Sequence, residues 1–301
     1  MEAAAATPIT RATTGTTNNP KRAAFWGGDS GSVWPEIDLG VNTTLKNIRV
    51  VQTVIIGTQL AGVSVPDEPL NIRQMSIEEG LTKPYIELAV KFSLSNGQVQ
   101  DPTGSVALKL AKLAARDLAL AEDLVFLLGE KAKLPETVRI ESGKSFLGKG
   151  LLGLAKDTIP VPEIGPKSDN DGKGILQAVT EGLMNLIGSS QSGPYYLIQG
   201  LDAFIATNST TVNGTPTNQV LSPSLLGGSI SASAVMPRGM SLLIATGGDP
   251  TTIYVDTDPV TEPTNQDDSG QYFFRTFERV QYVASDARAF VKIDFSKAIK
   301  K

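Results

Sequence analysis

The stretch SVALKLAKLAARDLALAEDLVFLLG, residues 105–129, constrains the fold most, because it reads as one uninterrupted amphipathic helix. Ser105 is expected to cap its start and Gly129 its end. At 1.5 Å per residue such a helix spans roughly 36 Å, so other elements must pack along it. The predicted apolar stripe consists of Val106, Leu110, Leu113, Leu120, Leu124 and Leu128, with alanines on its flanks.

A second periodic segment, YIELAVKFSLS, alternates with period two and predicts a β-strand. Polar side chains occupy the opposite face of the strand. Residues 58–84 before it are irregular and rich in Pro and Gly, so residues 58–98 together are expected to form a long loop and ribbon. The predicted buried face consists of Ile86, Leu88, Val90, Phe92 and Leu94.

Two further helices flank this region in the sequence. WPEIDLGVNTTLKNI places an apolar residue every three or four positions, and Pro35 suits a first helical turn. GILQAVTEGLMNLIG repeats the helical pattern, and several short strand-like segments follow it. The order lacks a regular alternation of strands and helices, which favours an α+β fold over a doubly wound sheet.

Composition excludes several kinds of chemistry. The 301 residues contain no His and no Cys, so neither a Ser-His-Asp triad nor a zinc site built on these residues can form. Ser30 in GDSG is therefore expected to be chemically ordinary, in a flexible turn. GKS at residues 143–145 lacks the upstream Gly of a phosphate-binding loop. We expect no catalytic residue, no cofactor, no metal and no enzymatic activity.

Charge and hydropathy give weaker expectations. The net charge of −4 gives no general reason to expect nucleic-acid binding. The start of the sequence lacks the apolar run of a signal peptide, and no stretch approaches the roughly 18 apolar residues of a membrane helix. The expected location is the cytoplasm, without membrane contact.

Six segments, in order, resemble one family. They are WPEIDLGVNTTLKNIRVVQTV, KPYIELAVKFSLS, AARDLALAEDLVFLLG, SGPYYLIQGLDAFIA, the run from LLGGSI to IYVDTD, and YFFRTFERVQYVASDARAFVKIDF. Together they are similar to the encapsulins, also called linocin-type bacteriocin proteins, which share the fold of tailed-phage major capsid proteins. Each motif alone is weak, and their common order carries the resemblance. The chain departs from the family in its long N-terminal region and in residues 58–84.

The resemblance implies an α+β, tailed-phage major-capsid-like fold with four parts. These are an N-terminal arm, a projecting β-ribbon loop, a compact domain built on a long spine helix, and an outer domain at the symmetry axes. The expected boundaries are 1–33 for the arm, 58–98 for the extended loop and 146–280 for the outer (axial) domain. The compact (peripheral) domain is expected to contain 34–57, 99–145 and 281–301.

The resemblance also implies a function. Identical copies would assemble into an icosahedral shell with a multiple of sixty subunits, an encapsulin nanocompartment that encloses a cargo enzyme. The cargo would carry a C-terminal targeting peptide that docks against the first helix and the compact domain. The alternative is a viral or provirus major capsid protein of the same fold, which would package nucleic acid.

Two sets of site residues follow from position in the family's order. Each set also has an alternative interpretation. The first set could simply fill the subunit core, and the second could form a surface loop away from any symmetry axis. The candidate cargo-docking residues are Trp34, Ile37, Val41 and Leu45. The candidate pore rim lies in NSTTVNGTPTNQVLS, which has no charged residue, and consists of Asn208, Thr211, Asn213, Thr215 and Asn218.

Overall fold

The computed structural model describes residues 20–28, 31–67, 70–71, 76–77, 82–162 and 171–298. Ser30, most of the arm and part of the ribbon lie outside these residues. The α-helices are α1 Val33–Ile48, α2 Val51–Val54, α3 Asn96–Val99, α4 Ser105–Leu128, α5 Gly150–Leu154, α6 Lys173–Gly188, α7 Leu201–Ser209 and α8 Thr217–Leu221. Short 3-10 helices occur at Pro20–Ala24, Gly129–Lys131, Lys144–Phe146, Ser222–Leu225 and Ala287–Ala289.

The β-strands fall into two five-stranded sheets and three two-stranded ribbons among the described residues. In chain order they are β1 Gly57–Gln59, β2 Ser64–Pro66, β3 Leu70–Asn71, β4 Ser76–Ile77, β5 Thr82–Pro84, β6 Ile86–Ser95, β7 Val138–Ser142, β8 Asp157–Pro160, β9 Ser192–Gly200, β10 Thr211–Val212, β11 Thr215–Pro216, β12 Ile230–Ser233, β13 Met240–Gly247, β14 Thr251–Gln266, β15 Gln271–Ala284 and β16 Phe290–Asp294.

The first sheet has the order β1-β14-β15-β6-β7 and is antiparallel except for the β1–β14 pair. The strand β6 lies inside this sheet, where it pairs with β15 from Gln271–Ser95 to Val280–Ile86. Its alternation is confirmed, because Ile86, Leu88 and Leu94 are buried on one face. The remaining ribbon consists of the nested antiparallel pairs β2–β5 and β3–β4.

The long helix α4 begins and ends where the sequence predicts, but its buried face is different. Leu113, expected in the stripe, is 49% exposed, and the other five stripe residues are only half-buried. Six alanines face the core instead, together with Leu118, Val125, Phe126 and Leu127, where α1 and the first sheet pack directly onto α4. The buried alanines are Ala107, Ala111, Ala114, Ala115, Ala119 and Ala121.

Close approach between α1 and α4 also explains two glycines. A Cβ on Gly40 would lie 2.7 Å from Cε of Lys112 and 2.8 Å from Cδ1 of Leu108. Gly104 precedes α4 with φ +57°, and a Cβ there would lie 2.3 Å from Cγ1 of Val33. Gly104 therefore takes the N-cap position predicted for Ser105, whose hydroxyl instead donates to Oδ2 of Asp101 at 3.0 Å.

The second sheet has the order β12-β9-β13-β16-β8. The outer pairs β12–β9 and β16–β8 are parallel, whereas β9–β13 and β13–β16 are antiparallel. The helix α6 packs on this sheet through the stripe predicted from the sequence, and Ile175, Val179, Leu183 and Leu186 are buried there. A single apolar core runs through both sheets and their helices.

Strand pairing differs from the predicted boundaries in three places. Strands β14 and most of β15, predicted in the outer part 146–280, join the sheet that α4 covers. Strand β16, predicted in the compact part 281–301, lies in the second sheet. Strand β6, predicted in the loop 58–98, is a sheet strand. The physical reason is long-range hydrogen bonding: β15 pairs with β6, about 185 residues earlier, and β16 with β13.

The alanine face of α4 leads to a test by overpacking. Ala115→Leu should lower the free energy of unfolding by about 1–3 kcal/mol, since this site is fully buried and has no room for a larger side chain. Arg116→Leu introduces the same side chain on the exposed face and should change the free energy of unfolding by no more than about 0.5 kcal/mol. Denaturant titration of both variants would measure the difference, and equal effects would contradict this packing.

Candidate functional site

The four candidate docking residues on α1 all lie inside the subunit. Trp34, Ile37, Val41 and Leu45 are each no more than 1% exposed. They belong to the continuous apolar core, on the side of α1 that packs against α4 and β14. In this structure they fill the core, and a bound peptide could not touch them without opening it.

The opposite side of α1 is a separate, solvent-facing surface. Its apolar residue is Leu39, which is 69% exposed. Exposed polar residues surround it along the helix, at Glu36, Asn42, Thr43 and Lys46. The same helix thus offers a buried face that holds the subunit together and an exposed face with one large aliphatic side chain.

Residues 20–28, predicted as part of the N-terminal arm, are anchored to the body of the subunit. The guanidinium of Arg22 donates to both carboxylate oxygens of Asp38, at 2.8 and 2.7 Å, and to the carbonyl oxygen of Thr261 at 3.0 and 2.6 Å. It also lies 4.5 Å from the ring centre of Trp34. A buried arginine with two paired oxygens and an aromatic face fixes this segment to both α1 and β14.

Aromatic packing completes this anchor. Trp26 lies edge-on to Trp34, with ring centres 5.2 Å apart, and it stacks on Phe274 at 5.9 Å. Phe25 meets Phe274 edge-on at 5.4 Å, and Phe92 stacks on its other side at 5.6 Å. Each such pair adds about 0.5–1.5 kcal/mol beyond area burial. Sequence reasoning missed this cluster, although the adjacent pair Phe25–Trp26 in a segment rich in Ala, Thr and Gly was a usable signal.

The candidate pore-rim residues lie on and beside a tight hairpin. Strands β10 and β11 pair as Thr211–Pro216 and Val212–Thr215. Asn213 and Gly214 form the two-residue turn with φ of +52° and +82°. Asn-Gly is the favoured pair for such a turn, because both positions need a positive φ.

Exposure divides the five residues. Asn208, Asn213 and Thr215 are exposed, whereas Thr211 and Asn218 are half-buried. Asn218 donates from Nδ2 to Oδ1 of Asn208 at 2.7 Å, so these two amides are joined beside the hairpin. The structure brings all five into one local unit.

Charges and apolar side chains lie next to this neutral hairpin. The amide of Gly172 donates to the carbonyl oxygen of Thr211 at 2.8 Å, so Asp171 and Lys173 are brought beside it. On α7, Leu201 and Ile205 are 61% and 56% exposed, one helical turn apart. The neutral hairpin is therefore flanked by an ion pair and by an exposed aliphatic surface.

A buried ionic cluster lies elsewhere, where α1, α2, α4 and β15 meet. Arg49 pairs with Glu122 and Glu278, and Asp123 accepts from the amides of Val50 and Val51. Burial raises the pKa of Glu122 well above its ordinary value, and it raises the pKa of Asp123 to about 6. Both acidic residues are buried, and Arg49 forms an ion pair with Glu122.

Nothing in the described residues assembles reactive chemistry. No group of three or more acidic residues there is arranged to hold a metal ion. Within the same residues, no helix is long and apolar enough to cross a membrane. What the geometry offers is surfaces: the exposed face of α1, the ribbon, the hairpin and the adjoining aliphatic face of α7.

Comparison with known sequences identifies relatives of the chain. A family model described as an encapsulating protein for peroxidase matches residues 31–274. A type 1 encapsulin shell protein from Rhodococcus erythropolis is 28% identical over 232 residues, which cover 73% of this chain and 80% of that protein. The family match therefore includes α1, the ribbon, α4 and most strands of both sheets.

Solved structures with the same fold come from cells and from phages. The virus-like particle from Pyrococcus furiosus aligns with a TM-score of 0.65 and 14% identity, covering 87% of this chain and 100% of that one. A chain from Mycobacterium phage Bobi gives 0.58 and 15%, covering 82% and 90%. The holo-SrpI encapsulin complex from Synechococcus elongatus gives 0.54 and 8%, covering 83% and 89%. The predicted α+β, capsid-like fold is confirmed.

The two faces of α1 can be separated by one pair of substitutions. Leu45→Asp should abolish folding or lower the free energy of unfolding by about 3–5 kcal/mol, because it buries an unpaired carboxylate in the core. Leu39→Asp places the same group on the exposed face and should leave folding intact. Circular dichroism and the soluble yield of both variants provide the measurement. Normal folding of Leu45→Asp would contradict the burial of this face.

Proposed function

Because the chain belongs to the encapsulin family of shell-forming structural proteins, which are not enzymes, we propose that its copies close into an icosahedral cytoplasmic nanocompartment around a cargo enzyme. We further propose a multiple of sixty subunits. The observation that carries the proposal is the extent of the family match, residues 31–274, across both sheets, α1, α4 and the ribbon. The two sheets, α1 and α4 share one continuous core, so the match concerns the body of the subunit.

The ribbon supports assembly on physical grounds. The pairs β2–β5 and β3–β4 are two-stranded, so their outer edges have unpaired backbone groups that a neighbouring subunit can cover. At the root of the ribbon, Ile56 and Val63 are each 82% exposed. Repeated, identical contacts of this kind close a shell built from one kind of chain.

Cargo capture is assigned to the exposed face of α1. The resemblance implies docking of a C-terminal targeting peptide of the cargo against the first helix, but Trp34, Ile37, Val41 and Leu45 are not accessible there. Leu39 is, and its polar neighbours would border an apolar contact with a peptide side chain. Leu39 therefore replaces the four buried residues as the proposed docking contact.

The hairpin β10–β11 is assigned to the rim of a pore at a symmetry axis. Its exposed turn carries amide and hydroxyl groups but no charge, so it should pass small solutes with little charge preference. Asn213 and Thr215 are the residues that would line the opening. Asn208, Thr211 and Asn218 would support them, since they are half-buried or bonded to one another.

Purified particles test the function and its viral alternative together. We expect closed, hollow particles in negative stain, a co-purifying cargo protein and no nuclease-sensitive nucleic acid. Leu39→Asp should keep the particles but lose the cargo, because a carboxylate replaces the apolar contact, whereas Leu39→Met should keep both. In size-exclusion chromatography, a stable monomer near 31.8 kDa, or a stable dimer near twice that mass, would overturn shell assembly. A packaged genome would favour the viral capsid instead.

Permeability tests the hairpin assignment separately. A shell of Thr215→Asp loaded with an enzyme that acts on an anionic substrate should turn it over more slowly, because the rim then repels anions. Thr215→Lys should not slow it, and a neutral substrate should be unaffected in both variants. Turnover by the free enzyme is the control. Identical turnover in all three shells would place the hairpin away from any pore.

A further inference from the structure

The buried ionic cluster has more acid than base. One guanidinium, that of Arg49, faces the three carboxyl groups of Glu122, Asp123 and Glu278. Glu122 and Glu278 are fully buried, and Asp123 is 1% exposed. With all four groups ionised, the cluster would carry two uncompensated negative charges out of reach of water, which is a strongly unfavourable state.

Each carboxylate oxygen of Asp123 accepts a hydrogen bond from a backbone amide. Its Oδ2 accepts from the amide of Val50 at 2.9 Å, and its Oδ1 accepts from the amide of Val51 at 3.0 Å. The chain turns from α1 into α2 at these two residues. Asp123 can therefore stay ionised without a second cation. The negative charge that still lacks a partner belongs to Glu122 and Glu278.

Among the described residues, three of the four oxygens of the two glutamates lack a well-aligned donor. Nε of Arg49 lies 2.5 Å from Oε2 of Glu122, and Nη2 donates to Oε2 of Glu278. The three oxygens without such a donor are both oxygens of Glu122 and Oε1 of Glu278. Both carboxyl groups therefore depend on the same guanidinium, which can balance the charge of only one of them. A proton on one carboxyl group removes the other charge.

Among the residues that the structure describes, the elements packed around the cluster supply no second cation to Glu122. On α2, Gln52 accepts only a long 3.5 Å contact from Nη1 of Arg49. On β6, Ile86 and Leu88 face the core, while Glu87 lies on the opposite side of the sheet with Arg275. The helix α5, which also packs on α4, is GLLGL and carries no charge.

We propose that this cluster is a proton-binding site, in which Glu122 keeps one proton at neutral pH while Glu278 shares the guanidinium of Arg49 with it. The proton removes one of the two excess charges. Because Arg49 and Asp123 fix the connection between α1 and α2, which leads directly into β1 and the ribbon, the proton stabilises the root of the ribbon. Its loss in alkali loosens the element that we assign to contacts between subunits.

The direction of the pH dependence follows. Burial raises the pKa of Glu122 well above the ordinary 4.5, Arg49 opposes this, and Glu278 and Asp123 add to it. The folded subunit therefore binds the proton more tightly than the unfolded chain does. This stabilisation is complete below pH 4.5 and declines as the pH rises through the folded-state pKa of Glu122. Asp123, with its pKa raised to about 6, adds a loss of the same sign at lower pH.

Infrared spectroscopy of the assembled protein tests the proposal directly. In D2O at about pH 8 exposed carboxyl groups are ionised, so a protonated-carboxylic-acid band reports a buried acid. We expect that band in the unaltered protein. Glu122→Gln and Glu278→Gln should each abolish it, because each change leaves a single glutamate charge for Arg49 to balance. Glu141→Gln is the control: its carboxylate is paired with Lys91 and Arg275, so the band should remain.

A stability measurement keeps the proposal testable if the variants yield little protein. The denaturant midpoint of the unaltered protein should fall between about pH 6 and pH 9, and that fall should be much smaller in Glu122→Gln. Absence of the acid band from folded, unaltered protein would overturn the proposal. So would a band that persists in either glutamine variant, or a Glu122→Gln variant that loses stability with pH as the unaltered protein does.

Discussion

The alanine face of α4 is the constraint on which the rest of the structure depends. Because six of its twelve buried residues are alanines, α1 and the first sheet both approach it closely. That approach buries the apolar side of α1 and turns Leu39 outward. It also brings the end of α1 near the two acidic residues of α4, which is why Arg49 reaches them.

Local periodicity made much of the fold predictable. The bounds of α4, the alternation of β6 and the stripe of α6 all follow from side chains a few residues apart. Local periodicity could not predict whether the leucine face or the alanine face of α4 is buried, because this depends on how close the packing partners lie. The anchor of Arg22 to Thr261 was equally out of reach, since it joins residues 239 positions apart.

The candidate sites show the same division. The sequence located the neutral stretch 208–222, and the structure adds the hairpin and its Asn-Gly turn. The candidate docking residues lie on the buried side of α1, since periodicity identifies an apolar stripe without saying what covers it. Glu122 and Asp123 are adjacent positions of α4 and point in different directions. A helix packed on both sides buries both positions.

The pairing of β15 with β6 and of β16 with β13 also sets an order of events during synthesis. Residues 271–294 supply an inner strand to each five-stranded sheet, so neither sheet can close until the ribosome has made them. Until then β6 lacks its neighbour β15, and β13 and β8 are not joined by β16. Nascent chains that are translated from the same mRNA therefore cannot present folded contact surfaces to each other. Subunits can recognise each other only after β15 and β16 have emerged from the ribosome. Folding of a subunit is therefore separated in time from its assembly with other subunits.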